Sequence, residues 1–294
     1  MKSITIEEAL KRASFCLQKA GVDQSRTEAE ILLARIMQTN RLQLFLSQDN
    51  EVPPDIYSFY KEAVKRRCRG EPVAYILEEK YFYGFRFFVN SDVLIPRPET
   101  ELIIESAVEW AQNRKDPRGF SINAIDLGTG SGILAITLAL LFPEADVWAV
   151  EYSLPALEVA RYNAALHNLT QRIHFYHGNY FSALDIFSCR PKFNLIVSNP
   201  PYVNEQEMID LPKDVKNYEP GEALFGGKDG LVGFRTILEQ LPEFTADNFL
   251  LLLEAGAEQK EKIEVLVTET GIIDQLTWRY DLNGWPRVLE AAPK

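Results

Sequence analysis

Asn199-Pro200-Pro201-Tyr202 is the stretch of this chain whose residue types could do chemistry. Two successive prolines cannot continue a sheet ladder, so they stiffen the backbone where it leaves a strand. Held that way, the Asn199 side-chain oxygen and the Pro200 carbonyl can aim at one point. Two converging acceptors suit a planar nitrogen that carries two hydrogens. Accepting both favours pyramidalisation of that nitrogen and exposes its lone pair to an electrophile. Tyr202 then offers an aromatic face on which a planar group stacks. Asn and Pro are also ordinary turn residues, so the tetrapeptide means more than a turn only if the chain holds an electrophile site elsewhere.

The elements around these residues supply a candidate. Phe193 to Ser198 reads as a buried strand stopped by the prolines. Farther upstream, Ile122 to Leu127 reads as a strand, Gly128-Thr129-Gly130-Ser131-Gly132 as a glycine turn, and Ile133 to Leu140 as a buried helix. That layout brings a backbone close to a nucleotide-like ligand at a helix N-terminus. A dinucleotide fingerprint would want its third glycine where Ile133 stands, and no Gly-Lys-Ser phosphate cradle follows. Both points argue against nicotinamide cofactors and nucleoside triphosphates. Val147 to Glu151 reads as the next strand, and its terminal acid is suited to accept from both ribose hydroxyls of a nucleoside. Ile173 to His177 reads as a third strand, leading to Asn179, an acceptor for an adenine amino group, with Tyr180 beside the ring. Each group taken singly is also consistent with a plain loop or an exposed acid. All of them fall at the carboxyl ends of strands, where ligands of open α/β sheets sit.

With these residues in view, the chain resembles S-adenosylmethionine-dependent methyltransferases of the seven-stranded class. It is most similar to the bacterial release-factor glutamine methyltransferases, the PrmC/HemK family. The resemblance covers nearly the whole chain. Gly70-Glu71-Pro72-Val73-Ala74-Tyr75-Ile76 and Leu94-Ile95-Pro96-Arg97-Pro98-Glu99-Thr100-Glu101 carry it, with Glu219-Pro220, Ala223-Leu224, Gly226-Gly227 and Asp229-Gly230-Leu231. It implies a Rossmann-like α/β fold with strand order 3-2-1-4-5-7-6 and a small N-terminal helical bundle. It implies S-adenosylmethionine contacts at Gly128, Thr129, Gly130, Ser131, Gly132, Glu151, Asn179, Tyr180 and Asn199, and substrate contacts at Asn199, Pro200, Pro201 and Tyr202. Three positions depart from the family: Glu151 and Asn179 stand where Asp is usual, and Glu78 where many members have Gly.

The reaction so implied moves a methyl group to the side-chain amide nitrogen of the glutamine in the Gly-Gly-Gln tip of class 1 peptide-chain release factors. The helical domain and the loop from Glu219 to Leu231 would dock that protein. The rival is an adenine amino-methyltransferase acting on nucleic acid, which uses the same tetrapeptide. Flipping a base calls for a cationic surface, whereas the formal net charge of this chain is −11. Its basic cluster, Lys65-Arg66-Arg67 with Arg69, reads as a solvated helix end. A silent binding module that keeps the fold is a third reading, which the intact site residues disfavour.

At 294 residues and 46% hydrophobic content the chain has room for one large domain and one small. No apolar run reaches the ~18 residues of a membrane span, and the N-terminus lacks the apolar core of a signal peptide. Cys16, Cys68 and Cys189 are isolated, so a cytosolic protein without metal is expected. The spacing predicts a helical domain over residues 1–77, a hairpin connector over 78–93, and a methyltransferase domain over 94–294. Thr5 with Glu8 reads as a capping box, followed by Leu10, Ala13, Leu17 and Ala20 on one face. Ser25 with Glu28 repeats the device before Ala29, Leu32, Leu33 and Ile36. A last helix near Pro54 is expected to turn Ile56, Phe59, Ala63 and Val64 inward. Later, helices are expected over about 155–167, 231–241 and 258–270, a strand over 249–254, and an antiparallel pair at 275–280 and 287–290.

Overall fold

The structure, a computed structural model, describes residues 4–113 and 121–293. Residues 1–3, the start of the expected helical domain, and Lys294, the end of the sheet domain, lie outside the described residues. The chain divides into two compact units, Met1–Glu79 with Pro212–Tyr218, and Lys80–Leu211 with Glu219–Lys294.

The first unit is helical: α1 (Ile6–Lys19), α2 (Ser25–Ile36), α3 (Arg41–Leu46), α4 (Pro54–Cys68) and α5 (Val73–Leu77). Thr5 Oγ1 accepts the Glu8 N–H at 3.3 Å and so caps α1. The second capping box does not form. Ser25 is already helical, its hydroxyl faces Ser14 at 3.4 Å, and Glu28 accepts from Arg67 at 2.6 Å. A charge-assisted partner outweighs a backbone cap there. Leu10, Ala13, Leu17, Ala29, Leu32 and Leu33 form the core, while Ala20 is exposed where α1 ends. On α4 the inward aromatic is Tyr60, not Phe59, which is 67% exposed. Tyr60 continues the stripe of Ile56, Ala63 and Val64 at helical spacing, and its hydroxyl donates to the Ala29 carbonyl at 3.0 Å. The segment 212–218 joins this unit although the chain reaches it late. Asp214 pairs with Arg67 at 3.9 Å, and the Tyr218 hydroxyl donates to the Arg69 carbonyl at 3.1 Å.

The second unit opens with a hairpin of β1 (Lys80–Phe82) and β2 (Phe85–Phe87). Its turn, Tyr83-Gly84, has positive φ at both residues, the geometry that suits the twist of paired strands. Residues 88–93, expected to belong to the hairpin, run on as turn and irregular chain. Then follow α6 (Glu101–Gln112), β3 (Asn123–Leu127), α7 (Ile133–Leu141), β4 (Asp146–Glu151), α8 (Leu154–Leu166), β5 (Ile173–His177) and β6 (Phe193–Ser198). After α9 (Glu207–Asp210) and α10 (Lys213–Tyr218), the latter in the helical unit, come α11 (Val232–Phe244), β7 (Thr245–Glu254), α12 (Lys260–Glu269), β8 (Gln275–Tyr280) and β9 (Pro286–Ala292). Helix α11 runs through Pro242 to Phe244 because Leu241 and Phe244 are both buried, so β7 starts at Thr245 and not at Phe249.

The strand order is β5-β4-β3-β6-β7-β9-β8, which in chain order is 3-2-1-4-5-7-6. β3 to β7 pair in parallel and β9 lies antiparallel between β7 and β8. The central strands are buried on both faces, as a parallel sheet covered by helices requires. Ala124, Leu195, Val197, Leu250 and Leu252 face the side that holds α6 and α7. Ile125, Ile196, Leu251 and Leu253 face the side that holds α11 and α12. This is the Rossmann-like α/β architecture of methyltransferases. Among the described residues no helix is long and apolar enough to cross a membrane.

Candidate active site

The carboxyl ends of β3, β4, β5 and β6 open on one cleft of about 800 Å³, within the size range of small-molecule sites. Its lining includes Gly128 to Ser131, Glu151, Asn179, Tyr180, Asn199 and Pro201. Gly132, Pro200 and Tyr202, grouped with these in the sequence, do not line it. Gly132 packs inward, where a Cβ would stand 2.8 Å from Ile136 Cδ1 and 3.3 Å from Ala160.

The glycine turn is held from below. The Gly128 and Thr129 N–H groups donate to the Val150 carbonyl at 2.8 and 2.9 Å. Thr129 Oγ1 donates to Asp126 Oδ2 at 2.5 Å, and the Ala135 N–H donates to the same oxygen at 3.2 Å. Asp126 is fully buried and its Oδ1 has no partner among the described residues. Burial pushes its pKa up to about 7, against the pull of the Thr129 and Ala135 bonds. Gly130 has φ +56° with open space where a Cβ would be. Its backbone can therefore meet a ligand directly, in a conformation that other residues adopt at a cost. The Gly130 N–H donates to Glu151 Oε2 at 2.8 Å, and the Ser153 N–H to Glu151 Oε1 at 2.9 Å. Burial raises the Glu151 pKa, partly offset by these backbone bonds.

At the end of β5, Asn179 is exposed and Tyr180 sits half-buried with φ +47°. Tyr180 thus holds a sparsely populated backbone conformation beside the cleft, a feature that clusters at functional sites. The Tyr180 ring approaches Gly128, and its hydroxyl would stand 2.8 Å from a Cβ on Gly233, so glycine at the start of α11 makes room for it.

At the end of β6, Ser198 Oγ donates to the Leu127 carbonyl at 2.6 Å and ties the tetrapeptide to β3. Asn199 is half-buried, and its Nδ2 donates to Thr100 Oγ1 at 3.3 Å. Tyr202 turns its hydroxyl to Glu254 Oε1 at 3.4 Å. Gln259 Nε2 donates to the Tyr202 carbonyl at 3.0 Å and the Gly230 carbonyl at 3.1 Å. The Val203 N–H bonds the Leu224 carbonyl, and the Gly226 N–H bonds the Val203 carbonyl, both at 2.9 Å. The loop from Glu219 to Leu231 is thereby stitched over the tetrapeptide. Its start is fixed by Glu219, whose side chain is 1% exposed, which accepts from Arg97 Nη2 at 2.6 Å and from the Ile95 N–H at 3.0 Å.

Several of these residues escaped the reading of the sequence. Thr100 has no role of its own in the sequence, and Glu219 and Gly226 enter only as part of the loop expected to dock the protein substrate. Glu254 ended an apolar strand, where a charged residue was itself the signal. Tyr152 and Gly233, which also line the cleft, carry no local signal.

The family described as PrmC N-terminal domain matches residues 8–77, and the methyltransferase small domain matches residues 111–213. The release factor glutamine methyltransferase of Bacillus anthracis is 34% identical over 286 residues, covering 97% of this chain and 98% of that protein. A bifunctional methyltransferase of Rickettsia felis is 34% identical over 98% of this chain, which spans only 58% of that protein. Among solved structures, a methyltransferase from Pyrococcus furiosus superposes with a TM-score of 0.51 at 17% identity, covering 79% of this chain and 98% of that one. Fold and relatives together define an α/β methyltransferase. The chain belongs to the release factor glutamine methyltransferase family, PrmC.

Proposed function

We propose that this chain transfers a methyl group from S-adenosylmethionine to the side-chain amide nitrogen of the Gly-Gly-Gln glutamine in class 1 peptide-chain release factors. The observation that carries the reading is the single cleft that joins Asn199 to the glycine turn and Glu151. The residues fit a nucleoside cofactor: open space over Gly130, a half-buried acid with one oxygen bonded to the turn, and the Tyr180 ring beside Gly128. S-adenosylmethionine, when bound, supplies a methyl group made electrophilic by its sulfonium.

The chain's own part is positioning. An amide nitrogen is a poor nucleophile, because its lone pair is delocalised into the carbonyl, and no protein base ionises it near neutral pH. Asn199 Oδ1 and the Pro200 carbonyl accept its two hydrogens and hold the nitrogen where its lone pair is exposed. Pro201 keeps both acceptors in place, and Tyr202 backs the amide plane. The nitrogen releases its proton only after attack, when it has become acidic. Glu151 accepts from the ribose hydroxyls, Asn179 from the adenine amino group, and Thr129, Ser131 and Gly132 shape the turn.

The helical domain, residues 1–77, serves in this reading as a docking surface for the protein substrate, joined through the connector 78–93 to the methyltransferase domain 94–294. Leu42, Phe45 and Leu46 on α3 are exposed apolar residues of the kind a protein partner covers. A nucleic-acid substrate is disfavoured by the net charge of −11. Lys65, Arg66 and Arg67 pair with Glu62, Glu71 and Glu28 instead of forming a free basic track. The protein is assigned to the cytoplasm on the same reading. Incubation with tritiated S-adenosylmethionine and release factor, Gly-Gly-Gln peptide or DNA tests it. Label in the factor and peptide supports the assignment, and label in DNA alone overturns it.

A further inference from the structure

The tetrapeptide has few groups of its own with which to hold itself still. Pro200 and Pro201 have no N–H to donate, and the Pro200 carbonyl must stay open if it is to accept from a substrate. The hold has to come from the two ends, through carbonyls and side chains. At the front, Ser198 Oγ donates to the Leu127 carbonyl at 2.6 Å. At the rear, the Tyr202 carbonyl meets Gln259, a buried residue just before α12 that does not itself line the cleft.

Gln259 uses its whole amide there. Nε2 donates to the Tyr202 carbonyl at 3.0 Å and to the Gly230 carbonyl at 3.1 Å, and Oε1 accepts the Gly256 N–H at 2.9 Å. Two carbonyls require donors and an N–H requires an acceptor, so only one way round of the amide satisfies all three. Glycines let the partners come this close. A Cβ on Gly230 would stand 2.3 Å from the Tyr202 oxygen and 2.5 Å from Gln259 Nε2. One on Gly226 would stand 2.5 Å from the Pro201 oxygen, and one on Gly256 3.1 Å from Gln259 Oε1. Loop, amide and backbone thus pack as one block behind Pro201 and Tyr202.

We propose that Gln259 is a positioning residue for methyl transfer. It fixes the Tyr202 end of the tetrapeptide against the loop from Glu219 to Leu231, and so sets where the Pro200 carbonyl and Asn199 Oδ1 meet the substrate nitrogen. The proposal rests on the reading of those two groups as acceptors. Without Gln259 the Tyr202 and Gly230 carbonyls face one another with no donor between them, and the two backbones move apart. A displacement of about 1 Å at the reacting groups costs up to about a hundredfold in rate. The glycine turn, Glu151 and Tyr180 stand at the ends of β3, β4 and β5, and none of them takes part in the three bonds of the Gln259 amide. Cofactor binding is therefore spared.

The test uses the full chain with intact release factor. Turnover is referred to the fraction of chain that binds S-adenosylhomocysteine, so that partial unfolding is not counted as lost kcat. Gln259→Met keeps the length and removes both donors; it lowers kcat about tenfold to a hundredfold, with affinity for S-adenosylhomocysteine and KM for release factor close to wild type. Gln259→Glu keeps the bond from Gly256 and, when protonated, one donor, so it folds more readily and shows a smaller loss of the same kind. A side chain that merely braced the fold would weaken cofactor binding together with kcat. Near-normal kcat in either variant, or a loss of cofactor affinity as large as the loss of kcat, overturns the proposal. Asn199→Ala separates the two levels. If that variant is fully active, the reading of Asn199 itself fails; if it is inactive while Gln259→Met is active, only the positioning role fails.

Discussion

Glu151→Gln asks how much the end of β4 contributes to holding a nucleoside. Both oxygens of Glu151 accept backbone N–H groups, from Gly130 at 2.8 Å and from Ser153 at 2.9 Å. Glutamine has the same shape but one acceptor oxygen, so its amino group must face one of those two N–H groups. A hydrogen bond to a charged group contributes about 1.5–3 kcal/mol. Here one is lost and its donor is left unpaired in a half-buried position. If the Gly130 bond gives way, the turn keeps its ties to Val150 at Gly128 and Thr129 but loses the one next to the open face. At 1.4 kcal/mol per decade, the change weakens cofactor binding about tenfold to 150-fold.

Calorimetric titration with S-adenosylhomocysteine reads the affinity, and thermal unfolding reads the fold. The expected result is a dissociation constant raised at least tenfold with a small shift in unfolding midpoint. Affinity also becomes insensitive to acid. In the wild type, burial raises the Glu151 pKa, so binding weakens as pH falls toward that value; in the variant nothing titrates there. A folded Glu151→Gln chain that binds as tightly as wild type would show that Glu151 only braces the turn.

Other expectations are simpler to state. Asn199→Ala should cost about 2.7–4 kcal/mol of transition-state stabilisation, roughly 100- to 1000-fold in turnover, with the unfolding midpoint preserved. Asp126 binds a proton in the folded chain that it releases when unfolded between its ordinary value of 3.8 and about 7, so stability falls as pH rises through that window. Asp126→Asn should flatten that slope in denaturant titrations at several pH values; an unchanged slope refutes the assignment. Phe45→Ser, on an exposed face of α3, should raise KM for intact release factor and leave a Gly-Gly-Gln peptide unaffected. Equal effects on both would remove the docking role from this surface.

What could be read in advance depended on how local the cause is. Phe193–Ser198 appears at the expected bounds because a strand buried on both faces writes a continuous apolar run. The choice between Phe59 and Tyr60 depends on which ring finds the Ala29 carbonyl, a partner supplied by another helix. The Ser25 cap was lost to Arg67, far along the chain. Helix α6 is masked in the sequence because Arg97 to Glu101 reads as a motif, yet Ile103, Ile104 and Ala107 bury a helical face directly after it. The cleft residues at the four strand ends were legible through the fold rule for open sheets. Thr100 was not, because its bond to Asn199 exists only after β6 and the turn before α6 have come together.

Glu254, a buried carboxyl group at the end of β7, carries a cost. An apolar residue there would pack without the penalty of burying an ionisable group, and the folded chain would not lose stability as pH rises through about 7. It would also leave the Tyr202 hydroxyl, which donates to Glu254 Oε1 at 3.4 Å, without its acceptor. Asp126 at the end of β3 obeys the same rule for the glycine turn, where Thr129 and Ala135 converge on one buried oxygen. Both acids lower stability near neutral pH, and both sit as hydrogen-bond acceptors at the carboxyl ends of parallel strands.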